Sequence, residues 1–550
     1  MKRLTYLAAL VLLSGAAYAQ DNNYESLSRM FSQTNPQGSA RMQALGGNHS
    51  AIGADVSNIS GNPAGLGFYT RSELSISPLF STSNNASQYI NNTQNASANQ
   101  LAIGNLGVVF SSKNRNPVRS GGWQGGSFGI SYSRQNIFKN TIRFGDRNNA
   151  SSMSDFFAEY ANQEATGSQQ GVVVGDFKND LYNNGTVFDF PTSMYYYGLV
   201  IDPQLGSQIG YPYSGIELGK AANQNFLSTS TGYTSGWNFA YGANYMNKLY
   251  VGVGFSLARM NYTNTKTMNE DYEDPAGVSG FSYTNDLSTN GRGFNLSGGL
   301  IYRPNDLLRI GVSVTSPTWF NITESAGQSL QTRLARPYEI SQGTFPEYSP
   351  DLPDVLRRNG YGLNAINGVN YLTSVPGLSV LPFESSYRLR TPTKLTGGVG
   401  LFFGKNGFIS ADAEYVNYTG MKLSSDDQNA SQDLRDGYSN SLIRSTYRNV
   451  VNLKVGGEYR IDKVSLRAGV SYYQDPYKQI AQFNSLDRSR YIYSAGVGYK
   501  TDRFYIDAAV THGQQTTAYT PYILANTNDY ASAKIKNQTT NAILTLGTYF

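Results

Sequence analysis

Only two histidines, His49 and His512, and no cysteine occur among 550 residues, so the side chains that hold transition metals or act as thiolate nucleophiles are nearly missing. Neither histidine has a serine motif beside it, which leaves a Ser–His hydrolase without a foundation. Gly252-Val253-Gly254 sits inside an alternating apolar run and not ahead of a helix, so it is not a phosphate loop. The chemically capable groups are charges that share one phase of such runs: Asp412, Glu414, Lys454, Glu458, Arg467 and Asp507. Their expected role is a paired network on an inner wall, with Lys454 or Arg467 a candidate partner for a carboxylate head group. No catalytic residue, metal or cofactor is expected, and the chain is read as a non-enzyme. A formal charge of +5 with no clustered basic face gives no support for a nucleic-acid partner.

The elements that position these charges are strands. In Leu249-Tyr250-Val251-Gly252-Val253-Gly254-Phe255-Ser256-Leu257 the apolar residues fall on one face and small or polar ones on the other. That period suits a strand with lipid outside and a polar lumen inside. Counting such runs predicts strands near 72–82, 103–112, 126–140, 232–246, 248–262, 289–303, 307–322, 388–403, 407–420, 445–460, 463–476, 489–500, 503–514 and 537–550. Turns such as Met246-Asn247-Lys248 and Gly404-Lys405-Asn406-Gly407 are short, whereas segments 141–231, 263–288, 323–386 and 421–444 are long and polar. Short turns on one side and long loops on the other are the layout of a bacterial outer-membrane barrel.

Composition agrees, since 57 glycines and 42 tyrosines accompany only 15% charged residues. Tyrosine forms interface girdles, and glycine relieves crowding where strands curve. A soluble secreted β-sandwich is the competing class. At the start, Lys2 and Arg3, the apolar run from Leu4 to Leu13 and Ala17-Tyr18-Ala19 predict an export signal over 1–19, cleaved after Ala19. At the other end, Ile543-Leu544-Thr545-Leu546-Gly547-Thr548-Tyr549-Phe550 resembles the closing strand of such barrels.

Residues 20–70 do not form a strand series. Their spaced apolar residues, including Ile52, Val56, Ile59, Leu66 and Phe68, suit a plug folded into the lumen. Here Ser39-Ala40-Arg41-Met42-Gln43-Ala44-Leu45-Gly46-Gly47, Ala51-Ile52-Gly53-Ala54-Asp55 and Gly61-Asn62-Pro63-Ala64-Gly65-Leu66 resemble the N-terminal hatch of the FadL/TodX family of outer-membrane hydrophobic-compound transporters, with Asn62, Pro63 and Ala64 matching its signature. The segments Leu389 to Val399, Ala411 to Tyr415, Arg467 to Tyr473 and Tyr493 to Tyr499 continue the likeness.

The resemblance implies an all-β, transmembrane, antiparallel up-and-down barrel of about 14 strands over 71–550, with the hatch inside its lumen. It also implies passive, ligand-gated uptake of long-chain fatty acids or other hydrophobic small molecules. The surroundings would be outer-membrane lipid and lipopolysaccharide. Hatch residues Ile52, Val56, Ile59, Leu66 and Phe68 are candidates for a deep ligand pocket, and Phe156, Phe157 and Tyr160 for an external landing groove. The same fold is used by the PorV-type component of type IX secretion, so binding of secreted protein cargo is the alternative.

Overall fold

A computed structural model of the chain describes residues 24–114, 122–167, 174–203, 213–217, 219–341, 344–345, 348–478 and 486–550. The expected export signal lies outside them. Fourteen antiparallel strands form one closed ring. They are β1 (Glu73–Tyr89), β2 (Asn92–Lys113), β3 (Trp123–Ile137 continued by Asn140–Asn148), β4 (Ala222–Tyr245), β5 (Leu249–Tyr272), β6 (Val278–Tyr302) and β7 (Leu308–Thr315 continued by Trp319–Leu334). The ring continues through β8 (Leu378–Arg390 continued by Lys394–Phe402), β9 (Gly407–Val416, with Lys422–Ser424), β10 (Val450–Ile461), β11 (Val464–Tyr473), β12 (Arg490–Lys500), β13 (Phe504–Tyr519) and β14 (Ala533–Tyr549). β1 pairs with β14 from Glu73↔Tyr549 to Gln88↔Lys534, which leaves the ring without an open edge. Among the described residues, further short strands stand outside it, such as Ile201–Pro203, Tyr213–Gly215 and Val369–Ser374.

Alternation is what builds the wall. On β5, Val253, Phe255 and Leu257 are exposed outward while Gly252, Ser256 and Ala258 face in and are buried. Equivalent outward residues on the other strands make a continuous apolar band, among them Ile310, Val312, Leu395, Val399, Leu453, Leu466, Val497 and Leu546. No described helix is long and apolar enough to cross a membrane, so the band is carried by strands.

The strands run further than hydropathy predicts. Segment 263–288, expected as a loop, is strand except for 273–277, because β5 reaches Tyr272 and β6 starts at Val278. The expected loop 141–231 narrows to 149–221, and 323–386 narrows to 335–377. Segment 421–444 holds the short strand Lys422–Ser424 and the helix Gln432–Arg435, and the helix Tyr438–Thr446 runs two residues past its end. The physical reason is that beyond the apolar band water replaces lipid on the outer face, so threonine serves there as well as valine. Thr231 pairs with Thr263 at 2.6 Å and Thr267 with Thr284 at 3.1 Å, continuing the ladder with polar contacts.

The long connections fold over this polar extension as a cap. Helices α1 (Met153–Gly167), α2 (Val174–Asn184), α3 (Pro191–Tyr197) and α4 (Leu352–Arg358) join the inward faces of the strand ends in one aromatic core. Phe157 stacks on Tyr195 at 4.1 Å, and Phe144, Phe226 and Tyr519 stack in the wall beneath.

Candidate functional site in the barrel interior

Residues 24–69 are rich in Gly, Asn, Ser and Ala, and their chain is ordered by a series of caps. Ser39 Oγ accepts the Met42 N–H at 3.3 Å, starting the turn Ala40–Ala44. Asp55 caps Val56–Ile59 in a reciprocal box with Asn58. Asn62 caps Pro63–Phe68 by accepting the Ala64 N–H at 3.1 Å, and Pro63 takes the first helical position, where a missing N–H costs nothing. Asn62 Nδ2 also donates to the Ser50 carbonyl at 2.8 Å, which ties two of these turns together.

The segment meets the inward faces of strands around the ring. Ala40 N–H donates to Thr545 of β14 at 2.7 Å, Ser494 of β12 donates to the Ala44 carbonyl at 2.9 Å, and Ser471 of β11 donates to the Gly46 carbonyl at 2.7 Å. Asp412 of β9 accepts the His49 and Ser50 N–H groups at 2.9 and 3.0 Å. Opposite, strand glycines make room. A Cβ at Gly252 would lie 2.3 Å from the Pro63 backbone, at Gly299 1.8 Å from Asn62 Oδ1, and at Gly311 1.8 Å from the Ser50 carbonyl oxygen. Glycine there allows backbone to approach backbone.

The inward charges are paired. Glu458 receives Arg41 Nε at 3.0 Å and Arg467 Nε at 2.7 Å, and Arg467 Nη1 reaches Asp507 at 2.5 Å. Glu414 holds Lys454 at 3.1 Å and accepts from Asn452 at 3.0 Å. Lys454 and Arg467, the head-group candidates, are thus already committed to carboxylates of the wall.

The apolar residues of the segment serve as docking points. Val56, Ile59 and Leu66 pack with Val109 and Ala240, Ile52 packs with Leu45 and Phe408, and Ala64 packs with Tyr250 and Ile301. Phe68 stacks on Tyr250 at 3.7 Å under the Arg309 guanidinium. None of Ile52, Val56, Ile59, Leu66 or Phe68 lines the two described cavities of the bore.

The larger of those cavities, about 320 Å³, lies between the segment and the inward faces of β1, β3, β12, β13 and β14. Its walls mix Ile137, Phe138, Ile142, Ile492 and Ile535 with Arg134, Lys139 and Arg490, and among the described residues hold no carboxylate. Arg490 donates to Asn35 and to the Thr34 carbonyl and stands over the Tyr473 ring at 4.4 Å, while the Arg134 Nε is buried with no partner. Such a chamber is suited to an apolar body with an anionic end. The smaller cavity, about 140 Å³, continues along the segment past Asn136, His49, Thr396 and Lys454.

Comparison with solved structures bears on this arrangement. The chain is similar to a Pseudomonas aeruginosa FadL homologue at 13% identity, with 94% of this chain and 99% of the other covered and a TM-score of 0.51. It has the FadL fold. Also similar are the Pseudomonas putida toluene transporter TodX (13% identity, the same coverages, TM-score 0.49) and the Ralstonia pickettii toluene transporter TbuX (14%, the same coverages, 0.45). The sequence matches no protein-family profile and no curated protein.

In this FadL fold the aromatic residues read from the sequence as a landing groove fall in the cap core. Phe157 and Tyr160 are buried, and Phe156 packs beside them half-covered. Sequence reasoning missed Arg134 and Arg490 because nothing in their own strands distinguishes them from paired lumen charges.

His49 adds a pH response. Burial, and after it the Lys454 ammonium, push its imidazole down to about 4, against weaker opposite pulls from Asp55 and Glu414. A folded value below the unfolded one, about 6.5, makes this a contribution present above that pH and lost as pH falls toward 4. Proteolysis within residues 24–69 is therefore expected to accelerate between pH 6.5 and 4, and a His49→Gln variant to show a flatter profile over the same range.

Proposed function

We propose that this chain is an outer-membrane channel for passive uptake of hydrophobic small molecules that end in an acidic group, such as long-chain fatty acids. Residues 24–69 act as its hatch. The observation that carries this reading is the chamber above the segment, where aliphatic side chains meet Arg134, Lys139 and Arg490 with no carboxylate among the described residues. An acyl chain leaving water gains about 0.8 kcal/mol per buried CH₂, so an apolar wall is needed for the solute to enter at all. The cations then hold its end. Under this reading the segment, whose Arg29, Met30, Asn35 and Gln43 line the chamber, shifts to let the solute pass, and the ligand drives that shift only by binding the shifted arrangement better.

Two results test this. Deleting residues 24–60 or replacing both Asn62 and Pro63 is expected to abolish selective uptake of fatty acid into cells, and unchanged uptake after both removes the hatch. Arg490→Ala is expected to weaken fatty-acid binding about 10- to 100-fold, the range for losing a hydrogen bond to a charged group, while a neutral hydrocarbon of equal length is unaffected. Equal losses for both ligands would show that Arg490 only shapes the chamber.

A further inference from the structure

Outside the barrel, one face departs from the rest of the ring just beyond the apolar band. Along β5 the outward residues run Val253, Phe255, Leu257 and then Arg259. Along β6 they run Leu296, Phe294 and then Arg292, and the register sets Arg292 directly opposite Arg259. Two strands on, Arg390 of β8 lies directly opposite Lys422 and beside Trp319 of β7. All five of these side chains are exposed. Like charges in directly opposed positions of a sheet repel, and among the described residues no ion pair is formed by Arg259, Arg292, Arg390 or Lys422.

The arrangement is local. On the opposite side of the ring, Leu101, Phe80, Ala542 and Val510 form the last apolar row, and the next row is Asn99, Thr82, Thr540 and His512. Over the Arg259 and Arg292 part of this face lies a groove of about 800 Å³, bordered also by Arg388 and Asp426. The acidic groups on its rim are engaged: Asp426 holds Arg388, and Asp427 accepts the Ser386 N–H and hydroxyl at 2.8 and 3.0 Å.

We propose that this face binds the headgroup of a doubly phosphorylated glycolipid of the surrounding leaflet, one phosphate at Arg259 and Arg292 and the other at Arg390 and Lys422. The proposal rests on the outer-membrane reading above. A phosphate dianion between two cations relieves their repulsion and suits the planar guanidinium fork. The height fits, because the cations begin where the apolar band ends and an exposed tryptophan marks the interface. Strands about 4.8 Å apart put the facing members Arg292 and Arg390 two strands, about 10 Å, apart across the sheet, and the centres of the two cation pairs three strands, about 14 Å, apart. That span calls for two phosphates on one stiff sugar framework, which a simple glycerophospholipid lacks.

The test uses the full chain reconstituted in vesicles, as wild type, Arg259→Ser/Arg292→Ser and Arg390→Ser/Lys422→Ser. Each is exposed to a diphosphorylated glucosamine-disaccharide lipid, its monophosphorylated form, phosphatidylglycerol or inorganic phosphate, and lipid retained through detergent exchange is counted by native mass spectrometry. The wild type is expected to retain the diphosphorylated lipid best, and each double variant to lose about tenfold in retention while keeping the heat-modifiable mobility of a folded barrel. Undiminished retention by folded variants, or equal retention of phosphatidylglycerol, overturns the proposal. So does competition by inorganic phosphate at equal concentration, which would point to a free-phosphate site. A wild-type chain that stays out of the bilayer overturns the outer-membrane reading itself, a failure distinct from an embedded barrel indifferent to the lipid.

Discussion

Placing valine at both Gly299 and Gly311 is expected to drive residues 45–66 off the wall while leaving the barrel closed. A Cβ at each site would stand 1.8 Å from an atom of the segment, Asn62 Oδ1 in one case and the Ser50 carbonyl oxygen in the other. Overpacking of this kind usually costs about 1–3 kcal/mol per site, and more where the obstacle is backbone that cannot turn aside. The wall has no reason to give, since β6 and β7 are held by their ladder from Ser297↔Thr315 to Tyr302↔Ile310. The cheaper response is for the segment to leave. Planar-bilayer recordings should then show a large, steady ion conductance where the wild type shows little, and protease should cleave within 24–69 in the variant alone. A double variant as protected and as poorly conducting as the wild type would mean that the segment does not block the bore.

Glu458→Gln is expected to produce the largest loss of stability from a single change of charge. Glu458 is 4% exposed and stands between Arg41 of the segment and Arg467 of the wall, at 3.0 and 2.7 Å. Removing one partner from a buried ion pair costs about 3–5 kcal/mol, because the remaining charge is left without compensation. Arg467 retains Asp507, whereas Arg41 keeps as its nearest carboxylate only Asp55 at 3.8 Å, with the Ala54 carbonyl at 3.5 Å, so the loss falls mainly on the seating of the segment. Denaturant titration of the variant should show residues 24–69 releasing well before the barrel opens, followed by fluorescence from a probe at Ser60. Replacing Arg41 and Glu458 together with Met and Leu should recover much of the loss. If Glu458→Gln alone shifts nothing, the Arg41 contact contributes nothing to holding the segment.

The barrel was largely legible in the sequence, for a local reason. Every outward residue within the apolar band faces lipid, so each must be apolar whatever its neighbours do, and the period of two shows through in runs such as Leu249 to Leu257. All fourteen strands lie where alternation places them. The signal failed where lipid gave way to water: Thr263, Thr265 and Thr267 continue β5 but carry no hydropathy contrast. The strand glycines were legible as glycines and not as contacts, since Gly299 and Gly311 make room for a chain more than 200 positions earlier.

The lipid-facing phase, the short-turn side and the caps of residues 24–69 were determined by the sequence alone, because each depends on residues close together along the chain. The tertiary structure decided which charges are engaged and which line a chamber. Arg41 and Glu458 are 417 positions apart, and no local pattern reports their meeting. Inward positions accept any small or polar side chain, so Arg467 and Arg490 look alike in sequence. Only closing the ring around the segment gives one to the Glu458 network and the other to the chamber wall.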